Sequence, residues 1–270
     1  MMRAITTVRT IALCFLFTGL GVAPSSSEPS HFDHSAWDQL LSSYVDSEGR
    51  VAYRDAQQTD RARFDAYVEA LASAEPDAWP EREQLAFWVN AYNAGIFLAV
   101  FQGFSAESLL GRGKLFKFWK FEVAGKRRTL DEIEHKILRK RFTEPRIHFA
   151  LVCASTSCPQ LRREAYVAER LDAQLDEAAR LFINDPKRNR FDVERGKAQL
   201  SKIFDWFKKD FERDGTLVQF LARYVDDEST RDWLRAGGDI DIDHLDYDWS
   251  LNVQPEQRPL RPKRGALERP

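Results

Sequence analysis

The sequence has little cysteine and less methionine: three Cys and two Met in 270 residues. Three thiols cannot build the cross-linked framework of a small secreted module, and a chain of this length buries enough apolar surface to fold without one. Net charge is also lacking. Forty Lys and Arg stand against forty-two Asp and Glu, leaving −2, so no global field favours nucleic acid, an acidic membrane or a polyanionic substrate, and any such specificity has to be local. There is no internal repeat and no low-complexity linker inside the chain. What is present is 43% hydrophobic and 12% aromatic residues, a globular composition that excludes wholesale disorder.

The N-terminus carries Arg3 and Arg9, an apolar run from Ile11 to Val22, and then Ala23-Pro24-Ser25-Ser26-Ser27. A charged start, a short apolar core and small residues after it form the layout of a cleaved secretory signal over residues 1–27. Roughly a dozen apolar residues fall short of the ~20 needed to span a bilayer. Cys14 follows Leu13 inside the apolar run, which is not a lipid-attachment arrangement. The expectation is an exported, periplasmic or extracellular protein with no membrane span after cleavage. Residues 254–270, rich in Pro, Arg and Glu without apolar periodicity, read as a flexible tail, leaving one globular domain over 35–253.

Within that domain Trp37, Leu40, Leu41, Tyr44 and Val45 recur at helical spacing behind Ser35, and Gly49 is expected to close the helix. Val51-Ala52-Tyr53 reads as a short strand, Phe64 to Leu71 as a second helix, and Pro80 as the start of a third. The third helix is apolar on nearly every side from Leu85 to Phe101, which puts it inside the domain. Phe116 to Val123 with the turn Ala124-Gly125-Lys126 predicts a hairpin, and Thr129 with Glu132 a capping box. Ile147 to Ala154 has the length and composition of a strand, Cys158-Pro159 the look of a helix start, and Leu171 to Phe182 helical spacing. Ser201 caps a run with Ile203, Phe204, Phe207 and Phe211, and Ile240 to Trp249 predicts extended chain. The fold class is α+β: a helix-rich single domain with a small antiparallel or mixed sheet.

Four stretches stand out together: Ala86-Phe87-Trp88-Val89-Asn90-Ala91-Tyr92-Asn93-Ala94, Thr129 to Leu138, Pro145 to Pro159 with its His148, Cys153 and Cys158, and Asp248-Trp249-Ser250-Leu251-Asn252. In order and wording they resemble the family catalogued as domain of unknown function 547, in the form of a bacterial exported member, over roughly Ser35 to Val253. The resemblance names a family without naming a reaction.

Several residues could carry chemistry. On the helix after Thr129, Leu130, Ile133, Ile137 and Leu138 mark the apolar stripe and Glu134 falls inside it, so a carboxylate points at the core. It needs a partner such as Arg146, His148 or a backbone donor, as a structural ion pair or as a functional acid or base. His135 lies at the edge of the stripe. Asn90 and Asn93 share one side of the most apolar helix, where they hold loops or touch substrate. A turn ending in Cys158, with Pro159 opening a helix, would place a thiol at the positive end of a helix dipole, near His135 or His148 and beside backbone donors for an oxyanion. The alternatives are a Cys153–Cys158 disulfide and two inert thiols. A zinc site from these cysteines and histidines matches no standard spacing, and Asp239, Asp241 and Asp243 fail as a calcium loop because His244 stands at the turn-glycine position. No cofactor and no metal is expected.

Two readings of function remain. One is a non-catalytic binding or scaffold module of the cell envelope with a protein or peptide ligand, in which Glu134, Asn90 and Asn93 are structural and the cysteines are bridged. The other is a thiol-dependent hydrolase or acyl-transfer enzyme of papain-like or transglutaminase-like logic, with Cys158 as nucleophile, His135 or His148 as base, and Glu134 or Asn90 in support.

Overall fold

In the computed structural model, residues 31–257 are described; the expected signal segment, 1–27, and residues 258–270 of the expected tail lie outside them. Helix α4 (Glu81–Phe101) runs through the middle, and its side chains from Leu85 to Phe101 are all buried, as its all-round apolar sequence predicts. By length and hydropathy α4 passes as a membrane span, but 94% of its apolar window is enclosed by the rest of the chain. Around it pack α1 (Ser35–Tyr44), α2 (Tyr53–Thr59) and α3 (Arg61–Ser73), joined through an aromatic cluster in which Trp37, Tyr53 and Phe64 meet Phe97. Val51 makes only isolated bridges, to Val45 and Val253, and Tyr53 already begins α2, so the expected strand there is absent. Gly49 does not close α1; with φ +74 it turns the chain five residues past the helix end and close against Gln160 and Leu161.

After α4 the chain forms a short helix α5 (Leu109–Arg112), a π-helical turn (Gly113–Phe118), and the hairpin of β1 (Phe121–Val123) with β2 (Lys126–Arg128). The first arm of the expected hairpin therefore keeps only its last three residues, because residues up to Phe118 are helical. Thr129 and Glu132 form the predicted capping box, each side chain accepting from the other's backbone N–H. It opens a second π-helical stretch, Glu132–Leu138, continued by α6 (Arg139–Arg141). The hairpin packs so closely on α4 that a Cβ added at Gly95 would lie 2.7 Å from the Phe121 ring.

The largest departure from the sequence reading is at 145–170. Residues Pro145–Phe149 are a 3-10 helix rather than the start of a strand, and the chain then continues without a strand, making only an isolated bridge from Ser155 to Leu251. The polar groups a sheet would satisfy are met by side chains of α4. Asn93 donates to Ala150 O and accepts from Val152 N at 2.9 Å each, and Asn90 does the same with Tyr166 at 2.7 and 3.0 Å. Burial on all sides, not strand pairing, is what the β-branched and aromatic residues of this run record. No helix follows Pro159; the next long one, α7 (Leu171–Ile183), starts twelve residues later.

A second group of core side chains assembles on the far half of α7. It draws on α8 (Lys202–Trp206, capped by Ser201), α9 (Lys208–Phe211), α10 (Leu217–Leu221) and α11 (Glu228–Ala236). It also takes in a three-stranded mixed sheet, where β3 (Arg190–Asp192) and β4 (Lys197–Leu200) are antiparallel and β4 and β5 (Asp241–His244) parallel. The fold is thus α+β and helix-rich, with two small sheets, as expected. Asp241 and Asp243 lie on the exposed face of β5. Gln254 bonds to Val51, Tyr44 and Arg50, and Gln257 to Asp55, so the first residues of the expected tail are packed on the body.

The amide of Asn93 replaces a sheet, and its removal leaves two buried backbone groups unpaired. Asn93→Ala is expected to cost roughly 2–4 kcal/mol, read as a loss of denaturation free energy; an unchanged midpoint would show that the 150–152 segment finds other partners.

Candidate functional site

Between the two core regions lies a cleft of about 240 Å³. Its floor and walls come from the resembling stretches and from α8–α9: Tyr92 of α4; Asp131, Glu134 and His135; His148 and Leu151; the Cys153–Cys158 pair; and Trp206, Phe207, Tyr247 and Trp249. The aromatic wall is continuous, with Trp206, Tyr247 and Trp249 within 4.5 to 5.6 Å of one another, centroid to centroid.

Glu134 is where the helical phase puts it, pointing inward, but not with the expected partners. Arg146 is taken by Glu144, Asp172 and Asp176, and His148 by Asp210. The contact Glu134 does make is a long one, 3.4 Å from the Tyr92 hydroxyl. Glu134 is half-buried, since one side of it faces the cleft, but protein crowds its carboxyl, so desolvation dominates, the Arg139 charge only partly offsets it, and the Glu134 pKa rises from 4.5 to about 7. The same burial, with Glu134 alongside, drives the Tyr92 phenol well above its ordinary value.

His148 is almost fully enclosed and stacks on Phe207 at 3.8 Å, with its Nε2–H donating to Asp210 at 2.8 Å. Asp210 is also bound by Arg139 at 2.6 Å, and its carboxyl is held well below the usual range by these two donors despite the burial that opposes them. Burial of His148, with Arg139 close by, outweighs the attraction of Asp210 and lowers the imidazole pKa to about 4. His148 is thus a neutral, positioned ring. His135 is exposed at the rim; its Nδ1 accepts from Arg139 at 2.8 Å, and desolvation of the ring lowers its pKa. Asn90 lies outside the cleft, with both amide atoms committed to the Tyr166 backbone.

The expected nucleophile arrangement at Cys158 is not formed. Cys153 and Cys158 are disulfide-bonded across a five-residue separation, and there is no helix behind Cys158 to lower a thiol pKa. The backbone donors are also spent: the N–H groups of Thr156, Ser157 and Cys158 go to the carbonyls of Ser250, Asp248 and Ser155. The stretch 248–252 is thereby bound to the turn, with Asn252 N–H reaching Ala154 O. Ala154 adopts φ +58, a conformation that costs a non-glycine residue about 1–2 kcal/mol and persists because the bridge and these bonds impose it. Tyr247 donates toward the bridge, its hydroxyl 3.3 Å from each sulfur, and burial raises its pKa to about 12.

The sequence reading missed Tyr92, Asp131, Asp210 and the aromatic wall. Tyr92 carried a signal, lying between Asn90 and Asn93, whereas Asp210 sits in the run Lys208-Lys209-Asp210 and looks like solvent-facing charge. Among the described residues, no three His, Cys, Asp or Glu side chains converge as metal ligands.

Two stability measurements follow. The folded state keeps the Glu134 proton to about pH 7, while an unfolded glutamate loses it near 4.5. The folded state therefore binds more protons across that interval, and Glu134 lowers stability as pH rises through it, then no further. Glu134→Gln should match the parent near pH 4.5 and exceed it by between about 1 and 3 kcal/mol above pH 7; denaturation curves with no pH-dependent gap would mean that Glu134 is well solvated. Titration of native protein should find neither Cys153 nor Cys158 reactive until reductant is added. Closing so short a loop removes little chain entropy, so Cys158→Ser should cost about 2 kcal/mol.

No curated protein and no solved structure matches the chain. Residues 76–183, which hold α4, Glu134, His135, His148 and both cysteines, match the model of a family described as "Protein of unknown function, DUF547", and this part of the chain belongs to that family.

Proposed function

We propose that the chain is an exported cell-envelope binding module whose cleft takes one large side chain or terminal group of a protein or peptide ligand, with a cationic or N–H donor for Glu134. The observation that carries this is Glu134 itself: a desolvated carboxyl on an aromatic-walled floor, with a single long contact to Tyr92. Such a group gains most from a ligand that brings the missing donor. The cleft's size points the same way, since about 240 Å³ falls below the roughly 300–1,000 Å³ that encloses a drug-sized molecule. The thiol-enzyme reading has no comparable support, because Cys158 is bridged, the turn's N–H groups are used and Asn90 is remote.

Peptides selected by display on the parent protein, and counter-selected on Glu134→Gln, are expected to share a Lys, Arg or other donor-bearing anchor. A cationic anchor binds the ionised carboxylate. Below a pKa of about 7 each binding event must release a proton, so affinity should rise by about tenfold per pH unit up to pH 7 and level off above it. Titrations followed by Trp206 and Trp249 emission would measure this. Peptides that bind parent and Glu134→Gln alike, or with a flat pH profile, would sink the proposal.

A further inference from the structure

One short segment carries the most exposed apolar side chains of the described residues. Leu109, Leu110 and Phe118 are 80%, 79% and 76% exposed, against 48% for the next, Leu181. All three lie in α5 and the π-helical turn after it. The segment is anchored from beneath. Ser108 caps α5, Leu115 is fully buried, and Trp119 donates to Gln102. Arg112 lies 4.4 Å over the Trp249 ring and donates to Ala106 O. A Cβ at Gly111 would come within 2.4 Å of Ser105 O, so the turn is closely fitted to the chain before it. The apolar side chains are thus held outward on a fixed support.

Charge identifies what they face. Between Glu107 and Glu122 the chain carries Arg112, Lys114, Lys117 and Lys120 and no acid. The three lysines are exposed and none of them makes an ion pair within 4 Å among the described residues; of the nearby acids, Glu132 pairs with Lys136, with the Lys120 charge further off, and Asp131 lies 3.6 Å from the His135 ring. Leucine and phenylalanine tips set among unpaired ammonium groups match the two layers of a lipid interface: the tips enter the acyl boundary while the cations meet phosphate. The chain's net charge is −2, so this local excess is a property of the segment and not of the whole.

We propose that residues 108–120 are a docking surface for bilayers containing anionic phospholipid. Phe116 and Lys117 line the cleft, so docking brings the cleft's rim to the membrane surface. The proposal stands independently of what the cleft binds.

The test uses protein purified in its processed form after export, sedimented with vesicles of phosphatidylcholine alone or mixed with phosphatidylglycerol. Binding to the mixed vesicles is expected to be at least about tenfold tighter and to weaken as salt shortens the screening length. Leu110→Ser with Phe118→Ser, and separately Lys114→Glu with Lys120→Glu, should each lower it by about tenfold or more with an unchanged melting temperature. Leu181→Ser should bind as the parent does. Absence of vesicle binding, equal binding to both vesicle types, or variants that bind like the parent would each overturn the proposal, the first pointing to a protein partner for the same side chains. If a double variant melts early, Leu109→Ser alone carries the same expectation at a smaller loss.

Discussion

The structure depends on two side-chain amides inside a helix that is otherwise apolar. Asn90 and Asn93 stand one turn apart on α4, and each holds a stretch of chain outside the sheets by both its donor and its acceptor. Placing an amide in such surroundings is costly unless it is fully paired. Once paired, it does what a neighbouring strand would do, and at places where no strand lies. The segment 150–152 can therefore run beside α4 at full burial without belonging to a sheet, and this fixes where His148 and the cysteine bridge face the cleft.

From that constraint the cleft follows. Its walls are supplied by elements far apart in sequence, and the bonds between the 154–157 turn and residues 248–252 close one side. Two titratable side chains on its lining, His148 and Glu134, are held in their uncharged forms at neutral pH or near it, for one reason: burial without enough compensating charge. His148 stays neutral although a carboxylate adjoins it, because its burial outweighs that carboxylate, which is shared with Arg139. Glu134 is poised about pH 7 because the Arg139 charge and the long Tyr92 contact only partly offset its desolvation. A group kept at a cost to stability is common at sites of function.

The bridge changes what the cysteine stretch means. A thiol in a turn before a proline suggests a nucleophile only if a helix follows and the turn's N–H groups are free. Here the chain continues as loop to Ala168, and the N–H groups are bonded to carbonyls. The cysteines become part of the wall, and Ala154 with its positive φ marks the turn that lets them meet.

By itself the sequence determined the elements with strong local signals. Helix α4 was legible from its all-round apolarity, the Thr129–Glu132 box from its spacing, α7 from its period, and the inward aim of Glu134 from helical phase, because each depends on neighbours within a few turns. The approximate pairing options of Cys153 and Cys158 were legible too. The tertiary structure alone decided that Ile147 to Ala154 is not a strand, since a buried run has the same composition whether strands or asparagine amides satisfy its backbone. It also decided that Glu134 faces Tyr92 rather than Arg146, and that Asp210, some sixty residues from His148, supplies that histidine's partner. Long-range pairing of polar groups leaves no periodic trace in a sequence, because geometry, not spacing, brings the partners together.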